Sequence, residues 1–516
     1  MYPGAHARQH PQRPAVVMAS TGDQLTYAEL DERSIRLAHV FSAAGLRRGD
    51  VVALLTDNSP HTYEVYWAAV RSGLYITLVN HHLSAPEIAY IVEDSGAAAL
   101  VVSAALEDLA RDVAGQVPDA VRVRLAYGGS VEGYDDYAAA LAGASAQPPA
   151  DQPRGADLLY SSGTTGRPKG IRPELPDRQV GDPGDTLVEL LRLFYGFDEN
   201  AVYLSPAPVY HAAPLRYGAS VHALGGTVVM MERFDPEDAL RAIERYRVTH
   251  SQWVPTHFIR MLRLPDATRA AYDLSSHRVV VHAAAPCPPD VKRAMIDWWG
   301  PKLYEYYSAT EGIGMTLITS EEWLKKPGSV GRPILGQPRI CDDEGRLLPA
   351  GETGTVYFAR EGDGTFEYLG DPEKTKGARH PEHDDWATLG DVGHVDEDGY
   401  LFLTDRKTFM IISGGVNIYP QEIENVLALH PDLADVAVIG VPDPVMGEAV
   451  KAVAQVAPGV PPGPDLEERL IAYVRERIAH YKAPRSVDFV DELPRTPTGK
   501  LVKGKLKARY AQQGPA

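Results

Sequence analysis

The chain has 516 residues, 44% apolar and 23% charged, with a formal net charge of −18. That length exceeds one compact core, so two or more domains are expected, and the acidic balance excludes a nucleic-acid partner, whose phosphates would be repelled. Two cysteines, Cys287 and Cys341, cannot form a disulfide framework and fit a reducing, cytoplasmic setting. The start Met1-Tyr-Pro-Gly-Ala5 lacks a charged segment followed by an apolar one, so no signal peptide is read, and no apolar run is long enough to span a membrane. Apolar runs at 51–55, 99–102, 202–204, 227–230 and 278–281 are predicted as buried strands, and 60–72 and 236–246 carry apolar residues at helical spacing. That alternation is the pattern of layered α/β architecture. The Ala-, Pro- and Gly-rich stretch 138–153 reads as a loose connection, and 157–160 as a short buried strand after it. Further on, 354–358 and a hairpin around 396–399 suggest an antiparallel portion, followed by a charged hinge candidate at 405–408. Strands at 436–439 and 451–456 and an amphipathic helix over 466–480, after the turn Pro461-Pro-Gly-Pro464, make a last domain of its own.

The most informative stretch is Ser161-Ser-Gly-Thr-Thr-Gly-Arg-Pro-Lys-Gly170. Ser162, Gly163, Thr164, Thr165 and Gly166 leave the backbone short of bulk, so N–H groups and hydroxyls can converge on one anion, with Lys169 close behind. A strand feeding a Gly-rich turn brings amide donors up to phosphate oxygens. The spacing is too short for the P-loop of common nucleotidases. Cys287, in Ala283-Ala-Ala-Pro-Cys287, is read as packing among small residues rather than as a nucleophile.

This loop, Tyr307-Ser-Ala-Thr-Glu311, Thr388-Leu-Gly-Asp391, Asp405-Arg406 and Pro497-Thr-Gly-Lys500 occur in an order that resembles the adenylate-forming superfamily of acyl- and aryl-CoA ligases, luciferases and peptide-synthetase adenylation domains. The resemblance runs from Leu25-Thr-Tyr-Ala-Glu29 to Lys505 and is greatest to bacterial fatty- or aryl-acyl-CoA synthetases. It implies a large, multi-subdomain layered α/β N-terminal domain over 1–404, a hinge at 405–408 and a small, mobile α+β C-terminal domain over 409–516. The implied reaction is attack of a carboxylate on the α-phosphorus of ATP, with Mg²⁺, to give an acyl adenylate and pyrophosphate, then transfer to CoA. Such catalysis is mostly positioning and charge neutralisation.

The resemblance also implies roles. Ser162, Thr164, Thr165 and Lys169 hold the β- and γ-phosphates. Ala284, Ala285 and Pro286 match the adenine strip, Tyr307 stacks on adenine, Thr310 donates to the α-phosphate and Glu311 holds Mg²⁺. Asp391 accepts from the ribose hydroxyls, Arg406 reaches ribose or phosphate, and the pantetheine of CoA passes Gly414 and Gly415. Lys500 bridges the substrate carboxylate and the α-phosphate. His211, after Tyr210, lines the acyl site among the catalytic residues and need not act as a general base, and Trp253-Val-Pro-Thr256 flanks it. Two positions depart from the family pattern: Ser308 stands where glycine is usual, and Thr408 where many relatives carry an acidic residue or lysine. Arg216, His211, His222 and His282 near expected pocket segments, with 26 tyrosines against 10 phenylalanines, favour a polar or aryl acid over a long alkyl chain. A carrier protein in trans, an amine, or nitrite activated to diazotise an aryl amine are alternative outlets for the same adenylation chemistry, and a homodimer is compatible with it.

Overall fold

A computed structural model describes residues 2–161, 168–360, 366–495 and 501–511. The chain forms two compact units, the first made of Met1–Gln252, Asp266–Val280 and Phe366–Pro372, the second of Trp253–Pro265, Val281–Thr365 and Glu373–Ala516.

The first unit contains a parallel six-stranded sheet in the order Asp135–Asp136, Val123–Tyr127, Ala97–Ser103, Val51–Leu55, Tyr75–Val79 and Ala156–Asp157. Its three central strands are buried along their whole length. That is why they read as continuous apolar runs rather than as alternating ones. In a second sheet Thr227–Met230 lies between Pro14–Met18 and Val202–Ser205, all parallel. The early motif Leu25-Thr-Tyr-Ala-Glu29 is a helix start: Glu29 accepts from the Thr26 N–H at 2.9 Å, and the Thr26 hydroxyl oxygen accepts from the Glu29 N–H at 3.3 Å. This reciprocal pair satisfies two amides that the helix itself cannot.

Three expectations change. The strand expected at 157–160 is two strands, Ala156–Asp157 and Leu159–Ser161, in different sheets. The fully buried Leu158 is where the chain crosses between them. The connection expected at 138–153 begins with a helix, Tyr137–Ala142, because Asp136 caps an alanine-rich run. The late helix is Pro464–Arg475, starting earlier because proline suits the first helical position.

The second unit begins with an antiparallel run in the order Leu303–Ser308, Met315–Thr319, Ser329–Leu335, Leu401–Arg406, Trp386–Val395, Gly354–Ala359 and Gln337–Cys341. The expected hairpin is present: Asp396 accepts from the N–H groups of Asp398 and Tyr400, and Gly399 takes a φ of 82°. The smaller C-terminal domain has a five-stranded sheet built on the long pair Leu433–Asp443 and Gly447–Val456. Alternate residues of this pair serve opposite faces. Val436 and Val438 join Ile411, Leu470 and Val474, whereas Ala437 and Ile439 join Leu506 and Tyr510. Among the described residues no helix is long and apolar enough to cross a membrane.

Candidate active site

In the first unit, the residues that flank the Gly-rich loop are fixed by strand pairing. Leu159–Ser161 runs antiparallel to Lys169–Arg172, with Ser161 opposite Lys169, so the loop is the connection of a β-hairpin. Ser162, Gly163, Thr164, Thr165 and Gly166 lie outside the described residues. Glu367–Tyr368 pairs with the other edge of Lys169–Arg172 and carries the chain to Asp371, which forms an ion pair with Lys169. Lys169 and Asp371 thus tie the outgoing strand of the hairpin to the segment that follows Glu367–Tyr368. No sequence signal singled out Asp371. Tyr160 donates to Asp94 at 2.6 Å, anchoring the incoming strand.

His211 is the N-cap residue of the helix Ala212–Leu224. Its ring lies 4.5 Å from that of Tyr210, and His81 meets Tyr210 edge-on at 5.2 Å. His81 is held in turn by the Thr56 carbonyl, 2.9 Å from its Nδ1. Tyr210 is 7% exposed. Among the described residues its buried hydroxyl has no hydrogen-bond partner, and burial raises its pKa. Arg216, one turn further on, is bound to Asp157 at 2.7 and 2.8 Å. His222 is a core residue: it is fully buried, its Nε2 lies 3.0 Å from the Ala15 carbonyl, and burial pushes its pKa down to about 3.

In the second unit, three of the expected nucleotide residues form one cluster. The Tyr307 hydroxyl donates to one oxygen of Asp391 at 2.5 Å, and Arg406 Nε donates to the other at 2.9 Å. Strand register brings this about, because Asp391 and Arg406 are directly paired. Burial first, and then the Asp391 charge, raise the Tyr307 pKa well above its usual value, so the phenol stays a donor. A carboxylate offers about four lone-pair sites, so Asp391 retains acceptor capacity for ribose hydroxyls. The charge of Glu311 acts on both Tyr307 and Arg406.

Thr310 and Glu311 lie in the turn after Leu303–Ser308, closed by the Gly312 N–H donating to the Ala309 carbonyl at 3.0 Å. Arg360 holds the Gly312 carbonyl at 2.7 Å. The Ser308 hydroxyl donates to the Gly314 carbonyl at 2.8 Å, so the backbone itself absorbs this departure from glycine. Among the described residues no group of three or more His, Cys, Asp or Glu could hold a metal ion. The single carboxylate of Glu311 nevertheless suits Mg²⁺, which keeps waters and phosphate oxygens for most of its ligands.

Ala284 has a φ of 75°, one of two non-glycine residues in that region among those described. An L-residue there costs about 1–2 kcal/mol. Ala284 and Pro286 are exposed, so this strained backbone lies at the surface. Cys287 is a free thiol whose pKa is raised by burial, consistent with packing rather than attack. His282 is a core residue. It lies 3.7 Å from the buried Glu305, which is paired with the fully buried Lys292 at 2.5 Å.

Gly414 and Gly415 make a two-residue turn between Ile411–Ser413 and Val416–Ile418, with φ of 59° and 79°. Two positive φ values define a tight hairpin turn that favours glycine at both positions. A Cβ on Gly414 would collide with Met446 Cε, whereas nothing lies within 4 Å of one on Gly415. Around the expected hinge, Asp405 accepts from the Gln421 N–H at 3.1 Å and Lys407 pairs with Asp343 at 2.6 Å. Lys500 lies outside the described residues.

The sequence matches AMP-binding enzymes over residues 4–367 and the AMP-binding enzyme C-terminal domain over 422–500. It is 37% identical to a feruloyl-CoA synthase of an Amycolatopsis species, covering 99% of this chain and 98% of that one. It is 33% identical to the fatty acid–[acyl-carrier-protein] ligase ScoC of Streptomyces coeruleorubidus, over 98% and 95%. The fold is similar to that of ATP-bound MatB from Rhodopseudomonas palustris, with a TM-score of 0.81 and 28% identity over 99% of this chain and 100% of that one.

Proposed function

This chain belongs to the family of AMP-binding enzymes, and from that premise we propose that the acid it activates is aromatic rather than a long alkyl chain. The enzyme uses ATP to convert a carboxylic acid to an acyl adenylate with release of pyrophosphate, and transfers the acyl group to CoA as a thioester. Mg²⁺ is the companion ion of the nucleotide.

The observation that carries the aromatic reading is Tyr210, with its buried, unpartnered hydroxyl among the rings of His81 and His211. An alkyl chain packed there leaves that hydroxyl unsatisfied, at a cost of about 1–3 kcal/mol. A ring that carries an oxygen substituent satisfies it. The 37% identity to a feruloyl-CoA synthase supports the same choice.

In this reading the 162–166 loop and Lys169 neutralise the β- and γ-phosphates, and Asp391 with Arg406 orients the ribose. The 284–286 strip and Tyr307 enclose adenine. Thr310 donates to the α-phosphate, Glu311 holds the ion, and Lys500 draws the substrate carboxylate to the α-phosphorus. The acid needs no base, because a carboxylate is already ionised at neutral pH. The small domain turns about 405–408 to bring Gly414 and Gly415 to the thiol path. CoA and ATP are both at hand for a cytoplasmic enzyme, and a carrier protein in trans is the alternative acceptor that the likeness to ScoC supports.

The test is pyrophosphate release with ferulate, an unsubstituted benzoate and saturated fatty acids, in the wild type and in Tyr210→Phe. Ferulate is expected to be preferred, and Tyr210→Phe to lower kcat/KM for ferulate by about 10-fold while sparing alkyl acids. A wild-type preference for the fatty acids overturns the aromatic reading.

A further inference from the structure

Arg263 has no place in the nucleotide or acid machinery, yet it makes an unusual set of contacts. It is the C-cap residue of the helix Pro255–Leu262, which begins inside the Trp253-Val-Pro-Thr256 motif. From there its guanidinium reaches into the small C-terminal domain. One nitrogen donates to the Ala434 carbonyl, and another to the Leu433 carbonyl at 2.8 Å and the Ala428 carbonyl at 3.5 Å. Ala428 caps the C-terminus of the helix Pro420–Leu427, where partial negative charge favours a cation. A planar guanidinium serves three acceptors in one fork; an ammonium cannot match that geometry.

The next residue of the gripped segment leads to the catalytic loop. Asp435 accepts from Arg495 Nε and from a terminal guanidinium nitrogen at 2.5 and 2.6 Å. Arg495 in turn forms a β-bridge with Leu501, and the Val502 N–H donates to the Pro494 carbonyl at 2.8 Å. The two arms of the loop that carries Lys500 are thus fastened together and tied to Asp435. Arg263 holds the backbone immediately before that anchor. Fixing residues 433–434 against the helix Pro255–Leu262 therefore fixes the root of the Lys500 loop against the same helix.

We infer that Arg263 is a positioning residue for adenylation, a latch that holds the small domain in the orientation in which Lys500 serves the first half-reaction and that releases before thioester formation. This rests on the hinge reading above. The contacts are partly exposed hydrogen bonds to neutral carbonyls. They are strong enough to bias an orientation and weak enough to break in each cycle, unlike a buried ion pair.

The two half-reactions are measured separately, with ferulate and ATP for pyrophosphate exchange and with synthetic feruloyl adenylate plus CoA for thioester formation. Arg263→Ala is expected to slow the first by about 5- to 10-fold and to leave the second unchanged or faster. Arg263→Lys should fall between wild type and Ala, with unchanged melting behaviour in both. Thr408→Pro, which restricts backbone rotation at the hinge, is expected to do the reverse and stall after the adenylate. If Thr408→Pro stalls but Arg263→Ala slows both half-reactions equally, or neither, the latch is wrong and the hinge stands. If neither variant separates the half-reactions, the hinge fails and the latch with it.

Discussion

Replacing Lys292 by Met leaves Glu305 without its only cationic partner among the described residues, in a site where Glu305 is 5% exposed and Lys292 0%. The pair is 2.5 Å apart, with the Lys292 ammonium 5.0 Å from the Trp323 ring. Removing one partner of such a pair costs about 3–5 kcal/mol, because the other charge stays buried. Replacing both by apolar residues of similar size is close to neutral or stabilising. Glu305 and Tyr307 point to the same face of Leu303–Ser308, so the loss falls on the strand that presents Tyr307. Hydrogen exchange of the amides in Leu303–Ser308 and Met315–Thr319 reads this local stability without requiring two-state unfolding. Lys292→Met should lower protection by about 10²- to 10⁴-fold, and Lys292→Met/Glu305→Leu should regain most of it. The pH dependence has a definite sign. Burial raises the Glu305 pKa while Lys292 lowers it, and without Lys292 only the rise remains. A raised native pKa means that the native state binds more protons than the unfolded chain, so stability falls as pH rises through that range. The deficit of Lys292→Met should therefore be larger at pH 8 than at pH 5, after correction for intrinsic exchange. A double variant whose loss equals the sum of the two single losses refutes the reasoning.

Gly415→Ala meets only backbone strain, with φ 79° and open space around the added methyl; the expected result is about 1 kcal/mol lost in stability and a thioester step slowed more than adenylation, measured by the same two half-reaction assays. Ala284→Gly relieves a φ of 75°, and should leave stability level or up to about 1 kcal/mol higher while raising the KM for ATP in pyrophosphate exchange. His222, His257 and His250 are held neutral by burial, with values of about 3, 3 and 4 against an ordinary 6.5. Their stabilising contribution is complete above the unfolded value of 6.5 and is lost as pH falls through the native values of about 4 and 3, by about 2 kcal/mol each at pH 5, so the urea midpoint should drop steeply between pH 7 and pH 5; a flat profile over that range contradicts their burial as neutral rings.

The parallel core was legible because strands buried on both faces, such as Val51–Leu55, have to be continuous apolar runs. The switch at Leu158 was not, since a buried residue between two sheets has the same composition as one within a strand. Nor was the short helix Tyr137–Ala142, where alanines read as linker until Asp136 is recognised as the cap. In the site, motif order pointed to Tyr307, Asp391 and Arg406, and strand register brings these three together. Asp371, Arg263 and the Lys292–Glu305 pair carried no such signal. Asp371 finds its partner far away in sequence, Arg263 binds backbone carbonyls, and Lys292 and Glu305 lie 13 residues apart on different elements, none of which leaves a trace in residue type. His222 and His282 misled in the opposite direction: both histidines sit in the core, where burial rather than substrate fixes them.

The central claim is adenylation followed by thioester formation, and nucleotide product analysis with ferulate, ATP and Mg²⁺, with and without CoA, tests it most directly. The expected result is acid-dependent AMP and pyrophosphate, with feruloyl adenylate retained on the enzyme when CoA is absent and released as feruloyl-CoA when CoA is added. ADP and phosphate as the sole nucleotide products, or product and rate indifferent to CoA, would contradict it.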